Sequence, residues 1–211
     1  MWRAVLLLVL VGCAPVRAPE PPTPTPVPPA FQRLPGTGFS ITGHGSAETD
    51  EITPDYGGTL SIGIDVVTLS HSGQSTFIVT ALQDGESEIV TQAIGNYHGQ
   101  RPLVVTGAVT FTITADGDWS LKVQPMSSGG MPAFKGSGDL VSAYFTPPSP
   151  RNWSIAHDGA TFSVYAHCVG GSTLVADRAG PFQDTNSITF DRGPCFWEVR
   201  ADGVWSLEPA T

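Results

Sequence analysis

The 211-residue chain is poor in charged residues and in cysteine, and it contains no long apolar run. Charged residues make up 14% of the sequence, and only three cysteines are present. The longest apolar run, residues 4–11, is far shorter than the roughly 20 residues that a membrane-spanning helix needs. Acidic residues outnumber basic ones by 19 to 10, which argues against nucleic acid or an anionic lipid surface as a partner of the folded part.

The sequence also lacks the short motifs of common catalytic sites. It has no GxSxG or HExxH motif, no phosphate-binding glycine loop and no dinucleotide fingerprint. The histidines are scattered along the chain, at His44, His71, His98, His157 and His167. We therefore expect a non-enzymatic protein without a cofactor or a metal, and a hydrolase is the less favoured alternative.

Two acidic turns make a calcium-binding site a minor alternative. The segments 84–86 and 116–118 place carboxylates on turns, and calcium prefers several such oxygens. Neither segment follows the EF-hand pattern, and Val204 replaces the second acid at the corresponding turn later in the chain. A calcium site repeated along the chain is therefore not expected, and only a single site in the first half remains open.

The first 13 residues have the layout of an export signal. Arg3 precedes the apolar run, whose length is that of a secretory signal peptide. The segment Leu10-Val11-Gly12-Cys13 resembles the lipobox of bacterial lipoproteins. The resemblance implies a signal peptide over residues 1–12, acylation of Cys13 with chains such as palmitate, and anchoring in the cell membrane or outer membrane. The alternative is an ordinary signal peptide, cleaved after Ala14 or Ala18, that releases a secreted protein.

Residues 13–35 form a proline-rich linker in this interpretation. Its prolines are Pro15, Pro19, Pro21, Pro22, Pro24, Pro26, Pro28, Pro29 and Pro35. Proline fixes φ and removes backbone donors, so we expect an extended spacer rather than a packed element. The linker would hold the folded part away from the membrane.

The rest of the chain is predicted to be all-β. Apolar and polar residues alternate in the segments 76–81, 110–114 and 161–166, and glycine or Asp-Gly pairs bound these segments. No segment shows sustained helical spacing of apolar residues. This pattern is typical of antiparallel sheets packed as a sandwich.

An internal repeat divides the β region into two copies. Residues 115–121 match residues 201–207 at six of seven positions, including Trp119 and Trp205. The openings correspond as well, as Gly43-His44-Gly45 and Gly136-Ser137-Gly138. We therefore predict two tandem, jelly-roll-like β-sandwich domains over residues 36–126 and 127–211, with both tryptophans in the cores. The Asp-Gly before each tryptophan predicts a tight hairpin turn with glycine at positive φ.

Cys168 and Cys195 remain once Cys13 is assigned to lipid. They lie 27 residues apart in the second copy, each on the apolar face of a predicted strand. A disulfide between them is expected for an exported domain. Two buried free thiols are the alternative, and a metal site is less favoured because no CxxC or histidine cluster accompanies them.

The two domains resemble the accessory β modules of bacterial surface proteins and secreted enzymes, including pre-peptidase C-terminal-like and carbohydrate-binding modules. The resemblance implies a binding or interaction module, with either a glycan or cell-wall polymer, or another envelope protein, as the partner. Aromatic residues outside the repeated pattern are the candidate ligand platform, with strand packing as the alternative for each. They are Tyr56, Tyr97, Tyr144, Trp153 and Phe182.

Overall fold

The computed structural model describes residues 27–34, 38–54, 63–147, 151–190 and 192–210. The signal segment, Cys13, most of the linker and Tyr56 lie outside these ranges. The described residues form strands and loops without a helix, which confirms the all-β prediction. No helix long and apolar enough to cross a membrane is therefore found within these ranges.

The first domain packs a five-stranded sheet, in the order β1-β2-β9-β4-β7, against a four-stranded sheet in the order β3-β8-β5-β6. All pairings within the two sheets are antiparallel. The strands are β1 (Ala30–Arg33), β2 (Phe39–His44), β3 (Ala47–Glu48), β4 (Gly63–Ser72), β5 (Thr76–Gln83), β6 (Glu86–Ile94), β7 (Tyr97–Val105), β8 (Thr110–Thr114) and β9 (Asp118–Pro125).

The second domain repeats this design with two four-stranded sheets, in the orders β10-β17-β12-β15 and β11-β16-β13-β14. Its pairings are also antiparallel. The strands are β10 (Phe134–Ser137), β11 (Leu140–Val141), β12 (Arg151–His157), β13 (Thr161–Cys168), β14 (Gly171–Ala179), β15 (Phe182–Ile188), β16 (Cys195–Ala201) and β17 (Val204–Pro209).

Each domain has its own hydrophobic core, built from strands whose side chains alternate between buried and exposed. In β5, for example, Phe77, Val79 and Ala81 point inward and are almost fully buried. Burial of each large apolar side chain contributes about 1.5–3 kcal/mol. Trp119 belongs to the first core and Trp205 to the second, in agreement with the sequence prediction.

The two copies share the contact that holds each tryptophan. The indole Nε1 of Trp119 donates a hydrogen bond to the backbone oxygen of Gly45, and that of Trp205 donates to Gly138, both over 2.8 Å. A β-carbon at Gly43 would collide with the Trp119 ring, which explains the glycine at this position. The two matching glycine segments at the start of each copy therefore supply the backbone oxygens that accept the tryptophan hydrogen bonds.

The prediction of an Asp-Gly hairpin turn before each tryptophan is wrong. β8 and β9 lie in different sheets, and so do β16 and β17, so each Asp-Gly pair connects the two layers of a sandwich. Neither Gly117 nor Gly203 has a positive φ. Glycine is needed there for close packing, because a β-carbon at Gly117 would collide with the backbone oxygen of Ser72.

The folded part begins inside the segment that the sequence assigned to the linker. Strand β1 pairs with β2, and the Phe31 ring lies 5.9 Å from that of Phe39. Arg33 donates a hydrogen bond to the backbone oxygen of Thr53. These four proline-free residues (AFQR) form an additional edge strand of the first sheet.

The predicted disulfide between Cys168 and Cys195 is present. The two cysteines face each other across the paired strands β13 and β16. The bond lies at the end of this strand pair and closes a loop of 27 residues within the second domain.

Candidate functional site

The two domains meet at Asp139, which lies between β10 and β11. Its Oδ2 accepts a hydrogen bond from the Tyr97 hydroxyl over 2.8 Å and forms an ion pair with a terminal nitrogen of Arg101, also over 2.8 Å. Its Oδ1 accepts from the backbone N–H of Ala201, and its backbone oxygen accepts from Gln100. Since the Arg101 and Asp139 side chains are each only 12% exposed, this contact is a largely buried ion pair between domains.

The ionisation of Tyr97 reflects this junction. Burial, with the Asp139 carboxylate contributing in the same direction, raises the pKa of Tyr97 to about 12. The hydroxyl therefore stays protonated at neutral pH and serves as a donor to Asp139. Tyr97 therefore links the two domains at this contact. On the sequence alone, it is a candidate for the ligand platform.

An open cleft lies between the domains beside this contact. It has a volume of about 610 Å³ and lies between β6 and β7 of the first domain and β13 and β16 of the second. A second cavity of about 670 Å³ is lined by the contact residues Tyr97, Arg101 and Asp139 themselves. Arg101 and Arg200 line both cavities. Volumes of this size are typical of small-molecule sites.

Apolar side chains from both domains face the 610 Å³ cleft. Ile89 and Val104 come from the first domain and are 62% and 46% exposed. Val169, from the second domain, is 74% exposed. Exposed aliphatic residues from both domains thus meet at one concave surface, where a ligand would bury them.

A buried carboxylate organises the second-domain wall of the cleft. Glu198, on β16, accepts a hydrogen bond from His167 Nε2 over 2.9 Å and another from Arg200 Nε over 2.7 Å. Its side chain is only 3% exposed. Burial alone would raise the pKa of Glu198, but the hydrogen bonds from His167 and Arg200 together lower it below its usual range.

The His167 ring is fixed on several sides. It stacks on Phe196 with 4.7 Å between ring centroids and 12° between planes. Its Nδ1 lies 2.6 Å from the Ser172 hydroxyl, and Nε2 contacts Glu198. Ser172, His167 and Glu198 thus form one hydrogen-bonded chain of hydroxyl, imidazole and carboxylate, the order of groups in a serine hydrolase.

Arg200 is held over an aromatic ring. Its guanidinium carbon lies 5.3 Å from the centroid of the Tyr165 ring, a cation–π distance. Burial would lower the pKa of Arg200, but the hydrogen bond and charge of Glu198, with further acidic groups, raise it above the usual value. Its side chain remains 49% exposed, so a charged group in a fixed orientation faces the cleft.

Glu88 faces the same cleft from β6 in the first domain. Its pKa is raised, first by burial and second by the negative charge of Glu198 across the cleft. Among the described residues, Glu88 has no ion-pair partner. The cleft therefore presents an unpaired carboxylate on one wall and a fixed arginine on the other.

The predicted aromatic platform is not assembled in the described residues. Trp153 is fully buried in the second core, where its ring packs edge-on against Trp197. Phe182 packs against Phe162 in the same domain. Of the candidate aromatics in the described ranges, Tyr144 alone lines the 610 Å³ cleft, and its ring meets that of Phe196 at 87° rather than in a common plane. Trp153 and Phe182 are packing residues, which was the alternative for each.

Two further histidines occupy matching buried positions in the copies. His71 stacks on Phe77 with ring centroids 4.7 Å apart, and its Nε2 lies 3.2 Å from Asp116 without forming a hydrogen bond. His157 lies 3.5 Å from Asp202 in the second domain. Both histidines are part of the repeated core, as expected for a structural role. No group of three or more potential metal ligands occurs in the described part of the chain.

The cleft residues were missed because they depart from the repeat. Counting from the two tryptophans, Glu198 corresponds to Thr112 and Arg200 to Thr114. Asp139 corresponds to Ser46, and the two side chains accept hydrogen bonds from the matching backbone N–H groups of Ala201 and Ala115. Comparing the two copies for charged residues that occur in only one of them could have identified these cleft residues from the sequence.

No protein-family model and no curated protein matches the chain. Solved structures do match, among them a conserved protein of unknown function from Pseudomonas aeruginosa PAO1. The match covers 82% of this chain and 79% of that one, with 11% sequence identity and a TM-score of 0.26. A TM-score this low supports no conclusion about the function of this chain.

Proposed function

We propose that this protein is a lipid-anchored lipoprotein of the bacterial cell envelope that binds a ligand in the cleft between its two β-sandwich domains, without catalysing a reaction. The lipobox-like segment ending at Cys13 supports the anchor, and the disulfide in the second domain is compatible with a location outside the cytoplasm.

The observation that carries the binding role is the composition of the 610 Å³ cleft. Exposed aliphatic side chains converge there with a fixed arginine and an unpaired carboxylate. Binding sites typically combine apolar walls with a few oriented polar groups. The Asp139 contact supports this role, because a largely buried ion pair at the domain junction restrains the two walls of the cleft relative to each other.

The geometry favours a binding pocket over a flat sugar platform. A glycan platform would need exposed and roughly coplanar aromatic rings. Trp153 is buried, Phe182 packs within its own domain, and Tyr144 stands edge-on to Phe196. A ligand that enters the concave cleft is therefore preferred to a polysaccharide lying along a surface.

Substituting Cys13 tests the anchor. Cys13→Ala should move the protein from the membrane to the soluble fraction and abolish labelling with radioactive fatty acid. An unchanged distribution between the fractions would contradict the anchor.

Charge substitutions at the cleft rim test the binding site. The low-mass fraction of an envelope extract should raise the melting temperature of the detergent-purified protein, because a ligand that binds only the folded state stabilises it. Val169→Glu should abolish this rise. Val204→Glu is the matched control, because Val204 is 58% exposed and lines neither interdomain cavity. Equal rises in both variants, or no rise in the wild type, would contradict the proposal.

A further inference from the structure

We propose that the cleft ligand is a zwitterion of amino-acid or dipeptide size with an apolar side chain, its carboxylate bound by Arg200 and its ammonium group bound by Glu88. This inference rests on the proposed function and names the class of ligand that the same cleft would take.

Arg200 has the groups that bind a carboxylate. Its Nε is occupied by Glu198, while its two terminal nitrogens have no hydrogen-bond partner among the described residues. The planar guanidinium fork matches the geometry of a carboxylate, with which it forms two parallel hydrogen bonds. Glu198 and the Tyr165 ring already fix its orientation, so a ligand would bind with little further loss of side-chain freedom.

Glu88 supplies the opposite charge from the other domain. Both oxygens of Glu198 are occupied, by His167 and by Arg200, so Glu198 has little capacity left for a ligand cation. Glu88 lines the same cleft without a cationic partner in the described ranges. An ammonium group beside Glu88 would offset both its partial burial and its repulsion by Glu198, the two causes of its raised pKa.

The charge balance disfavours a simple anion. Asp139 neutralises Arg101, and Glu198 neutralises Arg200, which leaves Glu88 as an additional negative charge on the wall. Glu88 and Glu198 would repel a doubly charged phosphate, whereas a zwitterion brings no net charge into the cleft. The apolar walls at Ile89, Val104 and Val169 would contact its side chain.

Calorimetric titration with leucyl-leucine tests the ligand class. The detergent-purified full-length protein is titrated with the free dipeptide, with its N-acetyl form, with its C-terminal amide and with the doubly blocked form. We expect the free dipeptide to bind, and each singly blocked form to bind at least about tenfold more weakly, because each loses one charge-assisted contact. Absence of binding by the free dipeptide would overturn the proposal.

Two variants assign each end of the ligand to its residue. Arg200→Gln should bind the free dipeptide and its C-terminal amide equally, and Glu88→Gln should bind the free dipeptide and its N-acetyl form equally. Each comparison is made within one variant, so a loss of stability does not mimic the result. Lys135→Gln and Glu208→Gln are the matched controls, because these residues form an exposed ion pair outside both interdomain cavities.

The outcomes separate this inference from the proposed function. A melting-temperature rise that depends on Val169, without binding of leucyl-leucine, would overturn the zwitterion and leave the cleft as the binding site. The assigned contacts would be overturned if Arg200→Gln still bound the free dipeptide more tightly than its C-terminal amide, and Glu88→Gln still bound the free dipeptide more tightly than its N-acetyl form. Failure of both experiments would overturn both proposals.

Discussion

The carboxylate of Asp139 and the guanidinium of Arg101 form an ion pair, 2.8 Å long and largely buried, between the two β-sandwich domains. Asp139 also accepts hydrogen bonds from Tyr97 of the first domain and from Ala201 of the second. One side chain therefore connects both domains beside the 610 Å³ cleft.

Removing this carboxylate should destabilise the protein. Asp139→Ala leaves the Arg101 guanidinium buried without its partner, and we expect a loss of about 3 kcal/mol in the free energy of unfolding measured with urea. Asp184→Ala is the control, because Asp184 and its partner Arg178 are each 48% exposed, and such pairs contribute under about 1 kcal/mol. Equal losses in the two variants would contradict the role given to Asp139.

The repeated aspartates should make stability fall in acid. Asp116 accepts backbone hydrogen bonds from Gln74 and Ser75, and Asp202 accepts them from Thr161 and Ala160, which lowers the pKa of both carboxylates. Their contribution is complete above the usual aspartate range, and it is lost as the pH falls through that range to the lowered folded-state pKa.

Unfolding curves across acidic pH test this dependence. Asp116→Asn and Asp202→Asn should each flatten the decline of stability, while Asp50→Asn, at an exposed position, should leave it unchanged. A shallower decline in both variants would support a shared role of the repeated turn. A decline as steep as that of the wild type in both variants would contradict that role.

The disulfide should stabilise the second domain. The double variant Cys168→Ser, Cys195→Ser removes the closure of a 27-residue loop, which contributes about 3.5 kcal/mol in the chain-entropy model. Thermal unfolding of the wild type should shift downward in reducing agent, and that of the double variant should not respond. A wild type that does not respond to the reductant would mean that the bond is absent from the purified protein.

Ser172 should not act as a nucleophile, although its hydroxyl lies 2.6 Å from His167. The proposed binding role assigns this chain of hydrogen bonds to the positioning of Glu198 and Arg200. A fluorophosphonate probe should therefore leave the protein unlabelled. Labelling that disappears in Ser172→Ala would show an active serine and contradict the non-enzymatic assignment.

The repeated features could be predicted from the sequence because local constraints recur in both copies. Alternating apolar residues gave the strands, and the matching segments around Trp119 and Trp205 gave two similar cores. The same pattern did not reveal that each Asp-Gly pair crosses between sheets, because hairpin and inter-sheet turns share these residues. It also did not identify β1 at the end of a proline-rich segment.

The cleft could not be predicted, because it depends on contacts between residues far apart in the chain. Glu88 and Glu198 lie in different domains and face each other only after the domains pack. Exposed aromatics were the expected sign of a binding site, but Trp153 fills a core instead. The charged residues that interrupt the repeat were the more informative signal.

Photo-crosslinking in intact cells tests most directly the central claim that the interdomain cleft binds a ligand. Benzoylphenylalanine placed at Val169 should form a covalent adduct detectable by mass spectrometry, whereas the same group at Val204, also exposed, should not. An adduct confined to position 169 is the predicted result. Equal labelling at both positions, or no adduct at position 169, would contradict the claim.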